Sequence, residues 1–104
     1  QRVNRHRQAQ DYTPALSNAL LFRRDGHQCL YCGAVGSDAS LTRDHIVPVS
    51  RGGLDRWTNV ATACRRCNVG KANRTPEEWG YELLAVPFAP NLAEALFLAN
   101  RHRI

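Results

Sequence analysis

Two pairs of cysteines, each with two residues between its members, are the strongest chemical signature in this chain of 104 residues. Cys29 and Cys32 form the first pair, and Cys64 and Cys67 form the second. Two thiolates at this spacing can bind one tetrahedral ion from one side, and two such pairs complete a closed, all-sulfur site. The spacing therefore predicts a structural Zn²⁺ that uses all four cysteines of the protein.

Two disulfides or a bound iron atom are the alternative uses of four cysteines. Disulfide frameworks are typical of small secreted domains, but the first seven residues lack the apolar core of a secretory signal. An iron site would leave the polar residues between the two pairs unexplained. His27 is close to the first pair, yet four thiolates already fill a tetrahedron. We therefore favour zinc in a reduced, intracellular protein.

The segment between the cysteine pairs contains residues that suit a second kind of site. Asp44 and His45 are adjacent, Asn59 follows, and Asn68 comes directly after the last cysteine. Carboxylate and amide oxygens suit a hard divalent cation, and a neutral imidazole can accept a proton near neutral pH. A lone histidine is more often structural, but a zinc site on both sides of this segment would hold it rigidly. These residues therefore predict a catalytic centre distinct from the zinc.

The charge of the chain indicates a polyanionic partner. Fourteen Lys and Arg outnumber nine Asp and Glu, which gives a formal net charge of +5. This balance favours nucleic acid over an anionic membrane, and no apolar run approaches the length of a membrane span.

The length of the chain fits one domain over 14–104 with a motif core at 27–74. Residues 1–13 form a basic arm that is either a disordered end or a phosphate-binding segment.

Short elements are predicted to position these residues. The pattern indicates a first helix from Thr13 and Pro14 to Gly26, a hairpin with strands at 41–48 and 60–63, a short helix within 67–73, and two terminal helices. The terminal helices begin at capping boxes, one starting at Thr75 and one at Asn91. Apolar spacing puts Leu84 on the buried face of the first, and Leu96 on one face with Ala95 in the second. The predicted fold class is therefore α+β.

In their order and spacing, these motifs resemble the HNH endonucleases. The resemblance covers residues 27–74 and rests on Cys-x-x-Cys, Asp-His-Ile-Val-Pro-Val-Ser-Arg-Gly-Gly, Thr-Asn and Cys-Arg-Arg-Cys-Asn-Val-Gly-Lys. It implies the zinc-containing branch of the ββα-metal fold, with flanking helices around a small α+β core. It also implies a metal-dependent endonuclease that hydrolyses DNA phosphodiester bonds in the cytoplasm of a bacterium or as part of a phage.

The resemblance also assigns roles to the four polar residues. It implies that His45 is the general base and that Asp44 is a ligand of the catalytic ion. Asn59 would brace the loop and orient His45. Asn68 stands where the family has a second histidine as metal ligand, which makes this chain an HNN variant. An amide oxygen at that position favours Mg²⁺ or Mn²⁺ as the catalytic ion.

Six basic residues of the core are predicted to contact DNA phosphates: Lys71, Arg43, Arg51, Arg65, Arg66 and Arg74. Lys71 is the first choice, because the family motif has a basic residue there. Phosphate contacts give little sequence specificity, so specificity is expected from a partner protein, a dimer or other segments. The alternative function is a zinc-containing module that binds nucleic acid without cleaving it.

Overall fold

The computed structural model describes residues 13–100, so nearly all of the predicted basic arm and residues 101–104 lie outside the described residues. The helices and strands are, in chain order, α1 (Asn18–Arg24), β1 (Leu41–His45), β2 (Val60–Cys64), α2 (Arg65–Lys71), α3 (Pro76–Trp79) and α4 (Leu92–Asn100). Two short 3₁₀ turns, Val49–Arg51 and Trp57–Asn59, lie in the loop between the strands. The described chain is a small α+β structure, as the sequence predicts.

The β-hairpin is the centre of the fold. β1 and β2 pair antiparallel, with Leu41 opposite Cys64 and His45 opposite Val60. β1 ends at His45, earlier than the predicted end at Pro48, because the side-chain amide of Asn59 takes the backbone groups of Val47 in place of a partner strand. This early end places His45 at the last paired position, directly beside the loop.

α2 follows β2 without a connecting loop. Cys64 is its N-cap, and its Sγ accepts a hydrogen bond from the backbone N–H of Cys67 at 3.4 Å. The helix therefore begins at Arg65, before the predicted range of 67–73. Strand, cysteine pair and helix form one continuous segment, which fixes α2 relative to the hairpin.

The predicted start of α1 is wrong. The helix begins at Asn18, and the hydroxyl of Ser17 caps it by accepting from the backbone N–H of Leu20 at 3.2 Å. Pro14 precedes the helix instead of opening it, and its carbonyl accepts a hydrogen bond from the indole of Trp57 at 2.8 Å. That tertiary contact occupies the Pro14 carbonyl, which a helix beginning there would use for its own hydrogen bonds, so the helix starts at the next available cap, Ser17.

Two small apolar clusters form the core. One joins α1 to the hairpin through Leu21, Phe22, Leu41, Trp57 and Val60. The other surrounds the cysteines and includes Tyr31, Ala63, Trp79 and Leu83. The core also contains a buried ion pair, in which the fully buried guanidinium of Arg24 binds both oxygens of Asp25.

Arg24 links three parts of the chain. Its guanidinium donates to the backbone carbonyls of Trp57, Val60 and Phe88 at 2.8, 2.8 and 2.9 Å. Asp25 in turn accepts from the backbone N–H of Thr62 at 2.9 Å. A buried charge is tolerated when it is paired and hydrogen-bonded in this way. The pair therefore fastens α1 and the C-terminal segment to β2.

Both predicted capping boxes are confirmed, one between Thr75 and Glu78 and the other between Asn91 and Glu94. α3 has only four residues, because Gly80 adopts a left-handed conformation with φ of 94°.

The predicted apolar faces of the two terminal helices are partly wrong. Leu84, expected on the buried side of α3, lies beyond that helix and is exposed. α4 packs against α1 and buries Ala95 and Leu98, whereas Leu96, expected on the same face as Ala95, is exposed.

Among residues 13–100, none of the helices combines the length and the apolar character that a bilayer crossing requires.

Candidate active site and metal centre

The four cysteines meet in one cluster. Their sulfur atoms all lie within 4.8 Å of one another, and the Sγ atoms of Cys32 and Cys64 are 3.8 Å apart. A tetrahedral zinc ion with bonds of about 2.3 Å would separate its sulfurs by about 3.8 Å. All four thiols are free of disulfide bonds. The donor set and its dimensions therefore fit a structural zinc ion.

Ionisation of the thiols is uneven. Burial raises the pKa of Cys29, but hydrogen bonds from backbone groups of Cys32, Cys64 and Tyr31 outweigh it and bring the pKa to about 7. Burial and hydrogen bonds with the other thiols raise the pKa of Cys67. Metal ligation requires deprotonated thiols, so a bound cation would be needed for all four to ionise together.

Asp44 lies on β1 and is 3% exposed. Its Oδ2 accepts a hydrogen bond from the hydroxyl of Tyr31 at 2.6 Å, and its Oδ1 lies 3.3 Å from the Nζ atom of Lys71. Burial and the bond to Asp44 raise the pKa of Tyr31, so the phenol stays neutral and keeps its donor. Both carboxylate oxygens are thus held by buried side chains.

Lys71 is not part of the exposed basic surface. Its side chain is fully buried, and besides Asp44 it donates to the backbone carbonyl of His45 at 3.0 Å. The sequence predicts a phosphate contact at this position because of its basic residue and its place on α2. In this conformation the ammonium is an internal counter-ion of Asp44 instead.

His45 lies at the end of β1 with 27% of its side chain exposed. Its Nε2 is 2.9 Å from Oδ1 of Asp55, and Nη1 of Arg43 binds the two oxygens of the same carboxylate at 3.0 and 3.1 Å. The hydrogen bond with His45, followed by the contact with Arg43, lowers the pKa of Asp55. Nδ1 of His45 has no hydrogen-bond partner within residues 13–100.

Asn59 organises the loop that follows β1. Its side-chain oxygen accepts from the backbone N–H of Val47 at 3.0 Å, and its Nδ2 donates to the carbonyls of Val47 and Leu54 at 3.1 and 2.9 Å. Its own backbone carbonyl accepts from Ile46 at 2.9 Å. One amide therefore ties both ends of the loop together.

Asn68 faces β1 from α2. Its Nδ2 donates to the hydroxyl of Thr42 at 2.9 Å, with a longer contact of 3.4 Å to the carbonyl of Arg43. The side-chain oxygen of Asn68 accepts no hydrogen bond within the part of the chain that the structure describes. Thr42 therefore fixes the amide so that its oxygen is available as a ligand.

A shallow cavity of about 220 Å³ lies between β1, the loop and α2. Asp44, His45 and Asn68 all contribute to its wall. Asn59 does not line it and acts on the loop through the hydrogen bonds described above. The structure thus brings three of the four predicted polar residues to one concave site, with the fourth supporting it.

The predicted phosphate contacts differ in whether their charged side chains already have a partner within the protein. Arg65 and Arg66 are exposed in the first turn of α2, and neither side chain has a hydrogen bond or ion pair within residues 13–100. Arg51 forms an ion pair with Glu78, and this pairing lowers the pKa of Glu78 to about 2. Arg74 donates to backbone carbonyls at the end of α2. Of the six basic residues, Arg65 and Arg66 are therefore the two whose side-chain charges have no partner in the described part of the chain; they are called the uncommitted arginines below.

Three residues of the site were not singled out from the sequence: Tyr31, Thr42 and Asp55. Tyr31 lies between the first two cysteines, and its approach to Asp44 depends on the fold of the cysteine cluster. Thr42 precedes Asp44 by two residues on β1, so the alternation of a strand places both side chains on one face and could have indicated it. Asp55 was detectable as an acidic residue in a loop otherwise rich in Arg and Gly.

The hairpin and the helix that follows it form a small α+β structure. It carries four cysteines that could hold a metal ion and a polar cavity beside them. A family model described as HNH endonuclease matches residues 29–84, which is more than half of the chain. The chain therefore belongs to the HNH endonuclease family. This membership supports nuclease activity in general.

Two further comparisons agree with that assignment. The CRISPR-associated endonuclease Cas9 of Actinomyces naeslundii is 38% identical over 55 residues, which is 52% of this chain and 5% of that protein. The crystal structure of the Type II-C Cas9 enzyme from Actinomyces naeslundii is similar with a TM-score of 0.51 and 29% identity, and the match covers 84% of this chain and 9% of that one. In these two comparisons the chain spans only 5% and 9% of the length of the Cas9 protein from this organism.

Proposed function

We propose that this protein is a metal-dependent DNA endonuclease in which His45 is the general base. The observation that carries the proposal is the convergence of Asp44, His45 and Asn68 on one cavity. Uncommitted arginines at the start of the neighbouring helix supply attraction for a phosphate backbone. A carboxylate, an imidazole base and an amide oxygen around a concave surface suit the metal-assisted hydrolysis of a phosphodiester bond.

His45 removes a proton from the attacking water. A neutral imidazole donates from one nitrogen and accepts at the other. Because Nε2 faces the carboxylate of Asp55, the hydrogen belongs on Nε2 and Nδ1 is the basic atom. The unpaired Nδ1 accepts the water proton as the oxygen attacks phosphorus.

Asp44 and Asn68 would hold the catalytic cation. Each oxygen of an ionised carboxylate has two lone-pair directions, so the bonds from Tyr31 and Lys71 leave one free on each. The unpaired amide oxygen of Asn68 adds a neutral ligand, and such oxygen donors fit Mg²⁺ or Mn²⁺. When bound, the cation would neutralise charge on the phosphate and on the leaving oxygen.

The remaining residues keep this geometry fixed. Tyr31 and Lys71 orient the Asp44 carboxylate, and Asn59 holds the backbone next to His45. The four cysteines, with Zn²⁺, would join the hairpin to α2 and so hold β1 against Asn68. Recognition of a particular DNA sequence would then depend on a partner protein, a second copy of the chain or other segments.

A second candidate is a module that binds nucleic acid without cleaving it. The observation that favours it is the ion pair between Lys71 and Asp44, which already neutralises the predicted metal ligand. A carboxylate in a site without a catalytic cation would need such a partner. The two functions make opposite predictions for cleavage.

The test is cleavage of supercoiled plasmid with Mg²⁺, Mn²⁺ or EDTA, comparing wild type with His45→Ala. Metal-dependent conversion to open-circular or linear DNA is expected for wild type and not for His45→Ala. His27→Ala is the matched control, because His27 also pairs with an exposed aspartate, Asp38, at 2.6 Å outside the cavity. If no variant cleaves but all retard DNA in a gel, the binding module is the better account.

A further inference from the structure

We propose that Asp55 is a positioning residue for His45, an inference that rests on the nuclease function proposed above. The Asp55 carboxylate bridges Nε2 of His45, at 2.9 Å, and Nη1 of Arg43, at 3.0 Å. It lies outside the motif residues that the sequence singled out. Through these contacts it fixes the ring orientation and the tautomer that general-base catalysis requires.

The chemical argument concerns both the resting state and the transition state. A carboxylate can only accept hydrogen bonds when ionised, so its contact with Nε2 selects the tautomer with a bare Nδ1. When Nδ1 takes the proton from water, the ring becomes cationic. The same carboxylate then stabilises the imidazolium, as an aspartate does in the Ser-His-Asp arrangement of hydrolases. Asp55 itself remains ionised and touches neither the water nor the phosphate.

Asp55 has fixed support on both sides. Arg43 binds both of its oxygens and is itself held by the side-chain oxygen of Asn18, 2.8 Å from its Nε. The loop is fastened by Asn59, whose Nδ2 donates to the carbonyl of Leu54, the residue before Asp55. The carboxylate is therefore presented to His45 from a braced position, although 55% of the side chain is exposed.

Electrostatics separates this role from that of an ordinary surface acid. A negative charge beside a cavity that receives DNA repels phosphates. If Asp55 had no further role, its removal would leave kcat unchanged and would strengthen binding of DNA. A positioning role predicts instead that kcat falls when Asp55 is removed, because the base loses its orientation. Binding of DNA would not weaken, because repulsion of the substrate is relieved.

The experiment measures kcat and KM on supercoiled plasmid for the zinc-loaded full chain carrying Asp55→Asn, Asp55→Ala or Asp55→Glu. For Asn and Ala we expect kcat to fall by about 10- to 100-fold, part of the usual contribution of a general base. KM should be unchanged or lower, and Asp55→Glu should recover part of the loss in kcat. Asp38→Asn is the control, because it removes the aspartate of the other exposed Asp–His pair and should leave kcat at the wild-type value.

The outcomes separate this inference from the proposed function. Unchanged or higher kcat in Asp55→Asn, with an active wild type and an inactive His45→Ala, would overturn the role of Asp55 and leave the nuclease intact. Equal losses in Asp55→Asn and Asp38→Asn would also overturn it, since the effect would not be specific to the site. A wild type that shows no cleavage with either Mg²⁺ or Mn²⁺ would overturn both the proposed function and the role of Asp55. Thermal melting of each variant confirms that the exposed substitutions leave the protein folded.

Discussion

The ammonium of Lys71 lies 3.3 Å from Oδ1 of Asp44, and the two side chains are only 0% and 4% exposed. Removal of one partner from a buried ion pair leaves a charge without compensation, which costs about 3–5 kcal/mol. Tyr31 satisfies the other carboxylate oxygen of Asp44 but adds no positive charge. The pair therefore couples the stability of the domain to the geometry of its candidate active site.

Replacement of Lys71 by methionine tests this coupling. We expect Lys71→Met to lower the free energy of unfolding by about 3–5 kcal/mol, because the Asp44 carboxylate would stay buried without a counter-ion. The measurement is urea denaturation of the zinc-loaded protein. Arg66→Met removes the same charge from an exposed position and should change stability by less than about 0.5 kcal/mol. Equal stability of the two variants would indicate that Lys71 is solvated.

Arg65 and Arg66 are expected to act on DNA affinity and not on stability. Each uncommitted arginine that contacts a phosphate contributes about one unit to the slope of log K against log salt. Arg65→Gln and Arg66→Gln should each reduce that slope by about one unit and leave the melting temperature unchanged. The measurement is fluorescence anisotropy of a labelled duplex in EDTA over a range of salt concentrations. Unaltered slopes in both variants would place the DNA surface elsewhere.

The sequence predicted those parts of the fold that depend on local rules. The spacing of the cysteines, the strands of the hairpin and both capping boxes follow from residue types at fixed intervals. The start of α1 was missed because Thr13 and Ser17 are both good caps. A tertiary hydrogen bond between Pro14 and Trp57 decided between them.

The residues of the candidate site also divide into those that local motifs indicate and those that depend on tertiary contacts. Family resemblance indicated Asp44, His45, Asn59 and Asn68, since they belong to contiguous motifs. The burial of Lys71 could not be predicted, because exposed and buried lysines have the same local pattern on a short helix. Asp55 reaches His45 across the loop, and a contact of that kind depends on how the loop folds.

Zinc binding is expected to be a condition of folding. Cys29→Ser and Cys64→Ser each remove one thiolate from a site that joins segments far apart in the chain. In small metal-stapled domains, metal binding and folding are coupled, so both variants should lose cooperative thermal unfolding. Metal analysis of wild type should give one zinc per chain, and a strong chelator should unfold it. Retention of a native circular dichroism spectrum after chelation would contradict this expectation.

Gly53 is expected to be indispensable for the loop that holds the site. A β-carbon there would lie 1.7 Å from the carbonyl oxygen of Val47 and 2.9 Å from Nδ2 of Asn59. Gly53→Ala would therefore displace the backbone that Asn59 braces and, with it, the loop segment containing Asp55. We expect kcat to fall by about 100-fold, because the base loses its orientation.

Gly52 is the matched control for this prediction, because it is adjacent but has open space around the position of a β-carbon. Its φ of 94° makes alanine unfavourable there, so Gly52→Ala should lower stability by about 1 kcal/mol without a comparable effect on kcat. Parallel measurement of urea denaturation and plasmid cleavage separates the two effects. If Gly53→Ala cleaved DNA at the wild-type rate, the loop could shift without moving His45, and its bracing by Asn59 would have no catalytic consequence.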